Sequence, residues 1–137
     1  GLALHESFGS IVAQVAEVSV AHQKIKVHRV WCVIDCGTAI NPDLIAQQME
    51  GSVAFALSAA FYGRIQLSKG RVQQSNFHDY PVARITDMPQ IAVHIVASAD
   101  APKGMGEPGL PPLAPAFANA LARLDKKRQR ELPFKFA

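Results

Sequence analysis

A single carboxylate, Glu107, lies in a segment rich in glycine and proline that has the sequence KGMGEPG over residues 103–109. Glycine permits backbone angles that other residues avoid, and proline fixes its own, so we expect a loop with little conformational freedom. A carboxylate on such a loop can be held close to a ligand, which general acid or base catalysis requires. The local pattern is also typical of a glutamate that caps the following helix or points into water, and by itself it favours these simpler roles.

The other residue types that bind metals or act as nucleophiles show no comparable arrangement. Cys32 and Cys36 are the only cysteines. If both lie on one strand, their Cα atoms are about 13 Å apart, beyond the reach of a disulfide, so we predict buried reduced thiols. The five histidines show neither H-x3-H nor HExxH spacing, and the cysteine pair has no partner pair. We therefore assign no metal ligand in this chain.

Length and composition indicate one domain. The chain has 137 residues, 49% of them hydrophobic, which is enough for a real core, and we predict a single domain over residues 1–137. The net charge of +3 is mild. A basic run at residues 126–130 follows a predicted helix without interleaved aromatic residues, which favours a solvated helix end over a nucleic-acid interface.

Targeting and membrane signals are not evident in the sequence. No apolar stretch reaches the roughly 20 uncharged residues of a membrane span, and no charged segment followed by an apolar run marks a signal peptide. The chain begins with Gly1 rather than Met, so we expect a piece of a longer polypeptide. Localisation signals upstream of Gly1 are then undetermined, and both the cytoplasm and the periplasm stay open.

Two β-rich runs on either side of residues 21–24 predict an antiparallel hairpin. Ile25 and Val27 alternate with polar residues, but the apolar set then continues at Val30, Cys32 and Ile34. The parity of the alternation therefore changes between Val27 and Val30. Such a change predicts a β-bulge, or a strand that is buried on both faces at its end.

The next segment has the start and stop signals of a helix. Asn41 is a good N-cap, Pro42 suits the first helical position, and Gly63 stands where a helix should end. Apolar residues recur every four positions between them, at Ile45, Met49, Val53, Leu57 and Phe61. Gly51 weakens this helix by about 1 kcal/mol relative to alanine, so we expect another group to approach the backbone there.

The rest of the chain completes an α+β pattern. A short hairpin is predicted around Lys69 and Gly70, a strand over residues 90–98, and a second helix over residues 113–124. The order is two strands, a helix, a hairpin, a strand, the Glu107 loop and a helix. We predict an α+β fold in which two main helices pack on one face of a mostly antiparallel sheet.

Three segments in a fixed order resemble a known family. They are IDCGTAINPDLIAQQMEG, APKGMGEPGLPPLAPAFANAL and KRQRELPF. Together they resemble the C-terminal part of the molybdopterin-binding large subunit of the xanthine dehydrogenase and aldehyde oxidase superfamily, and most of all its isoquinoline 1-oxidoreductase β-subunit type. The resemblance covers nearly the whole chain, including HESFGSIVAQVAEVSV near its start.

The resemblance implies a role for three residues. Glu107 matches the glutamate of the family's G-x-G-E-P segment, which is the general base beside molybdenum. Gln48, in QQMEG, matches the glutamine of the family's G-Q-x-E-G motif and is implied to contact the cofactor, although Gln47 replaces the family's frequent glycine. Gly106 is implied to let the loop pass close to the cofactor. The simpler interpretation of Gln48 is an exposed helix glutamine, and Glu50 is expected to be structural.

The resemblance also implies partners and a reaction. The chain would belong to a molybdenum hydroxylase that oxidises a nitrogen heterocycle or an aldehyde, with water as the oxygen source. The chain has no iron–sulfur cysteine pattern, so electrons would leave through another subunit or domain. As a C-terminal fragment it would be inactive alone, bind no molybdenum and expose an apolar patch toward the remainder of the large subunit.

A second function from another class fits the sequence as well. The chain can be a non-catalytic α+β interaction module whose glycine-rich loop binds a peptide or a small anion through backbone amides. The full open reading frame separates the two hypotheses. Several hundred residues upstream of Gly1 would favour the enzyme, and a native start close to Gly1 would count against it.

Overall fold

The computed structural model describes residues 1–135 and contains one main sheet, a small hairpin and two long helices. In chain order the elements are β1 (Leu2–Ser7), β2 (Ser10–Ala21), β3 (Lys24–Asp35), α1 (Pro42–Phe61), β4 (Leu67–Ser68), β5 (Arg71–Val72), a 3₁₀ turn (Ile85–Asp87), β6 (Gln90–Ile95) and α2 (Leu113–Asp125). No helix within residues 1–135 is long and apolar enough to span a bilayer.

The main sheet has four strands in the order β1-β2-β3-β6. Strands β1, β2 and β3 pair antiparallel, whereas β6 pairs parallel to β3. The predicted α+β class and the mostly antiparallel sheet are confirmed, but the sheet is mixed. The parallel pair follows from the connection between the two strands. Residues 36–89 include α1 and return the chain to the end of the sheet at which β3 begins, so β6 runs in the same direction as β3.

The β2–β3 hairpin and its bulge are as predicted. Glu17 pairs with Arg29 and Val18 with Val27, so His28 is an extra residue on β3. His28 Nε2 lies 2.7 Å from Ser19 Oγ. The small β4–β5 hairpin is also confirmed, and both of its turn residues, Lys69 and Gly70, have positive φ angles of 48° and 74°.

Strand β1 was not predicted as a separate strand. It presents Ala3, His5 and Ser7 toward the helices and leaves Leu2 and Leu4 exposed, which is the reverse of the usual alternation in an isolated sheet. The alternation of Leu2 and Leu4 with Ala3 and His5 is therefore too short to identify the strand, and it would assign the leucines to the wrong face.

Both predicted helices are confirmed and pack on the same face of the sheet. The Asn41 side chain accepts a hydrogen bond from the Leu44 amide at 3.1 Å, as an N-cap does. The buried stripes of the two helices form one core with β2 and β3, and this core includes Val12, Val30, Ile34, Met49, Val53, Leu57, Leu113, Phe117 and Leu121. Gly51 is exposed, and none of the described atoms would lie within 4 Å of a Cβ added to it. No group within residues 1–135 therefore makes the expected close approach to the backbone at Gly51.

The opposite face of the sheet has a large apolar part that is uncovered within residues 1–135, next to charged side chains such as Glu17 and Arg29. We call this apolar part the outer sheet face, and it consists of Leu2, Leu4, Ile11, Val15, Trp31 and Val33, which are between 38% and 67% exposed. The register makes it continuous, because Leu2 pairs with Val15 and Val15 with Trp31 across three strands.

Candidate functional site

The loop that contains Glu107 is attached to the sheet by backbone hydrogen bonds. The Lys103 amide donates to the Cys36 carbonyl at 2.9 Å, and the Gly104 amide donates to the Phe8 carbonyl at 3.0 Å. Phe8 lies in the turn between β1 and β2, and Cys36 directly follows β3. The loop is therefore fixed at the end of the sheet where these strands meet.

Two buried side chains of β2 hold the loop on either side of Glu107. Ser10 Oγ donates to the Gly104 carbonyl at 2.6 Å, and Gln14 Nε2 donates to the Gly109 carbonyl at 2.7 Å. Both residues are 0% exposed. The sequence interpretation missed these two residues. Ser10, Val12 and Gln14 alternate along β2 and so lie on the same inward face, and a glutamine on the face that carries Val12 was the signal that could have identified them.

Two glycines let the loop lie against its neighbours. A Cβ at Gly104 would come within 2.5 Å of Phe8 Cβ, and one at Gly109 within 2.9 Å of Met49 Sδ. Gly106 differs from both, because none of the described atoms lies within 4 Å of its ideal Cβ position. The loop is thus tightly packed at both ends and open in the middle.

The Glu107 carboxylate is exposed at this open part of the loop. Among residues 1–135 it has no hydrogen-bond or ion-pair partner. Its carbonyl accepts a hydrogen bond from the Leu110 amide at 3.0 Å, which closes a turn. Pro112 stands at the N-cap of α2, without a side-chain cap, so the alternative that Glu107 caps this helix is wrong.

Gln48 lies on an exposed face of α1, beside the first part of the same loop. It lines a cleft of about 200 Å³ together with Cys36, Thr38, Ile40, Asn41, Leu44, Ile45, Pro102, Lys103 and Met105. The fold therefore brings Gln48 to the loop. Gly106 and Glu107 are not among the described lining residues and continue the loop beyond this cleft. Two larger cavities lie away from Glu107. One of about 390 Å³ lies between α2 and residues 128–134, and one of about 860 Å³ lies between the start of β3 and the end of α1.

The two cysteines are free and buried, as predicted. Burial raises the pKa of the Cys32 thiol to about 11, which outweighs the opposing effect of the neighbouring Gln14 side chain. Burial likewise raises the pKa of Cys36. Both side chains are therefore neutral thiols near pH 7 and are not activated nucleophiles. Within residues 1–135, no three His, Cys, Asp or Glu side chains are placed to bind a metal ion.

The groups around the loop suit a large polar cofactor better than a bare metal ion. The Gln48 amide can both donate and accept hydrogen bonds, and it is exposed at the wall of the cleft. Gly106 leaves open space where a side chain would project. The unpaired Glu107 carboxylate adds one proton acceptor next to that space. An exposed amide, an open backbone and a free carboxylate fit an oxygen- and nitrogen-rich ligand.

A four-stranded mixed sheet with two helices on one face and this loop at its end defines the class of domain. The chain belongs to the molybdopterin cofactor-binding domain family, whose model matches residues 5–89. This match confirms the resemblance noted in the sequence. It includes Gln48 and ends before the Glu107 loop.

Individual relatives extend the similarity to the rest of the chain. The chain is 41% identical over 137 residues to the beta subunit of isoquinoline 1-oxidoreductase from Brevundimonas diminuta, covering 98% of this chain and 18% of that protein. It is 30% identical over 115 residues to the large subunit of nicotine 6-hydroxylase from Paenarthrobacter nicotinovorans, covering 80% of this chain and 14% of that protein. The crystal structure of quinoline 2-oxidoreductase from Pseudomonas putida 86 matches with a TM-score of 0.71 and 25% identity, over 85% of this chain and 16% of that one. The chain thus spans less than a fifth of each of these relatives.

Proposed function

We propose that residues 1–137 form a single domain, the C-terminal domain of the large subunit of a molybdenum hydroxylase, and that Glu107 is its general base. The enzyme would oxidise a nitrogen heterocycle or an aldehyde, with water as the source of oxygen. The heterocycle is supported by the relatives whose names specify isoquinoline, nicotine and quinoline. The observation on which the proposal rests is the unpaired, exposed Glu107 carboxylate on a loop whose two ends are fixed.

The chain's own residues would act in three ways. The molybdenum cofactor, when bound, supplies the redox centre that takes two electrons from the substrate. Gln48 would hydrogen-bond the cofactor through its side-chain amide, and Gly106 would let the loop backbone approach it. A Glu107 carboxylate oxygen would accept the proton of the water-derived hydroxyl that attacks the substrate carbon. Since the loop is fixed at both ends, this oxygen needs little reorganisation before the reaction.

The remainder of the large subunit is the first partner in this proposal. The outer sheet face supports it, because a continuous row of large apolar side chains on a sheet marks a surface that another part of a protein covers. An iron–sulfur subunit or domain would be the second partner and would take the electrons. In the interaction-module alternative, binding of a small anion is disfavoured, since the exposed carboxylate in the middle of the loop would repel it.

The test is Glu107→Gln in the complete, cofactor-loaded enzyme. The amide keeps the shape of the side chain but cannot accept the proton, so kcat should fall by at least about 10²-fold while molybdenum content stays nearly unchanged. Glu17→Gln is the matched control, because it makes the same chemical change at an exposed position of β2 away from the loop. Near-normal turnover of a cofactor-replete Glu107→Gln enzyme would remove Glu107 from the mechanism.

A further inference from the structure

Two polar side chains occupy positions on β2 where an isolated sheet would place apolar ones. Ser10 and Gln14 lie on the inward face of the strand, on either side of the buried Val12, and all three are 0% exposed. A buried polar group is unfavourable unless it is hydrogen-bonded. Each of the two donates to a carbonyl of the loop, at Gly104 and Gly109. Their buried donors are therefore used to hold that loop.

We infer that Ser10 and Gln14 are positioning residues for Glu107. The inference rests on the proposed role of Glu107 as general base. Ser10 and Gln14 are four residue steps apart on β2, so their Cα atoms are separated by about 13 Å, and the five residue steps from Gly104 to Gly109 extend to roughly 17 Å at most. With Pro108 inside this segment, the chain between the two fixed carbonyls has little slack. The direction of the Glu107 side chain then depends on both hydrogen bonds.

The amide of Gln14 acts here as a donor. Within residues 1–135 its Oε1 atom has no hydrogen-bond partner, whereas Nε2 lies 2.7 Å from the Gly109 carbonyl. Gln14→Met keeps the approximate length and volume of the side chain but removes this donor. Ser10→Ala removes the other donor, and Ser10→Thr retains a hydroxyl at the same position. These three substitutions separate the loss of a loop contact from a change in packing.

The experiment uses the complete, cofactor-loaded enzyme and measures turnover together with hydrogen–deuterium exchange of the loop. Because small displacements of a catalytic group cost up to about 10²-fold, Ser10→Ala and Gln14→Met should lower kcat by roughly 10- to 10²-fold with little change in KM. Amides in peptides that cover residues 103–112 should exchange at least about tenfold faster. Ser10→Thr should restore both quantities toward those of the unmodified enzyme.

Val12→Ala is the matched control for these variants. Val12 is equally buried on the same face of β2 and contributes no side-chain hydrogen bond, so its truncation lowers stability without freeing the loop. It should lower the melting temperature and leave kcat and loop exchange nearly unchanged. If Val12→Ala reduces kcat as much as Gln14→Met at equal molybdenum content, the positioning role is wrong.

A double substitution distinguishes this inference from the proposed function. If Gln14 acts through Glu107, Gln14→Met should change kcat by less than about twofold in a Glu107→Gln enzyme, since effects of residues that act as one unit are not additive. Normal turnover of Glu107→Gln alone overturns both proposals. Loss of turnover in Glu107→Gln, with unchanged kcat and loop exchange in Gln14→Met and Ser10→Ala, overturns only the positioning role.

Discussion

Replacing Gly109 by alanine should destabilise the chain for a steric reason that the structure makes measurable. An alanine Cβ at this position would lie 2.9 Å from both Cε and Sδ of Met49 and 3.0 Å from Cβ of Ser52. Favourable contacts between such atoms begin at about 3.5 Å, so atoms on α1 or the loop must move by roughly half an ångström. Met49 is 0% exposed and has no solvent-facing space into which it can withdraw.

The cost follows from the burial of this contact. Adding a methyl group to a well-packed core destabilises proteins by about 1–3 kcal/mol, and we expect Gly109→Ala to fall in that range. For a chain of this length the melting temperature should drop by roughly 3–10 °C. Urea unfolding of the 137-residue chain, followed by circular dichroism, measures the difference in free energy of unfolding directly.

Gly106→Ala is the matched comparison within the same loop. Its Cβ would meet no described atom within 4 Å, and its φ angle is outside the left-handed region, so the stability should be unchanged or should rise by up to about 1 kcal/mol. In the complete enzyme, the same substitution should lower molybdopterin content if Gly106 lies against the cofactor. An unaltered free energy of unfolding in Gly109→Ala, or an equal loss in Gly106→Ala, would refute the steric argument.

Three further predictions concern the cofactor contact, the thiols and the outer sheet face. Gln48→Ala in the complete enzyme should lower molybdopterin occupancy or shift the metal spectrum while the fold survives; unchanged content, spectrum and rate would make Gln48 an ordinary exposed glutamine. Because burial raises the pKa of Cys32 to about 11, iodoacetamide at pH 8 should label this thiol only after unfolding. The free energy of unfolding should fall as the pH rises from 9 toward 11, since the thiol of the unfolded chain loses its proton at a lower pH than the buried thiol. The 137-residue chain alone should fold cooperatively and bind no molybdenum, and its exposed apolar face should bind a hydrophobic dye and cause self-association in size-exclusion chromatography. Trp31→Lys should reduce both dye binding and self-association. A strictly monomeric chain that binds no dye would contradict this prediction.

The parts of the fold that the sequence predicts are those that local chemistry determines. Helix α1 follows from the Asn41 cap, Pro42 and a four-residue apolar repeat, all within one segment. The bulge at His28 follows from a change of parity within a single strand. The Lys69-Gly70 turn follows from Gly70, because glycine accepts the positive φ angle that such a turn requires. None of these predictions requires knowledge of a distant residue.

The parts that the sequence does not predict depend on contacts between distant residues. The bonds from Ser10 to Gly104 and from Gln14 to Gly109 join residues 94 and 95 positions apart. The parallel pairing of β6 with β3 depends on how a connection of more than fifty residues packs. The role of Glu107 was suggested by the family motif, and its local pattern alone favoured a cap or a solvated side chain.

Several positions of β1 and β2 are inverted in polarity relative to an isolated sheet, although β2 also buries Val12 and Ala16, and the proposed assembly explains these positions. Toward the helices these strands present Ser7, Ser10 and Gln14, while Leu4 and Val15 face outward. A sheet with one face in water would bury leucine and expose glutamine. The arrangement becomes favourable if the remainder of the large subunit covers the leucines and if Ser10 and Gln14 hold the Glu107 loop. On this account, Leu4→Ser in the complete enzyme should weaken the domain's attachment to the rest of the large subunit, whereas Gln14→Met should leave the attachment intact and disturb the loop.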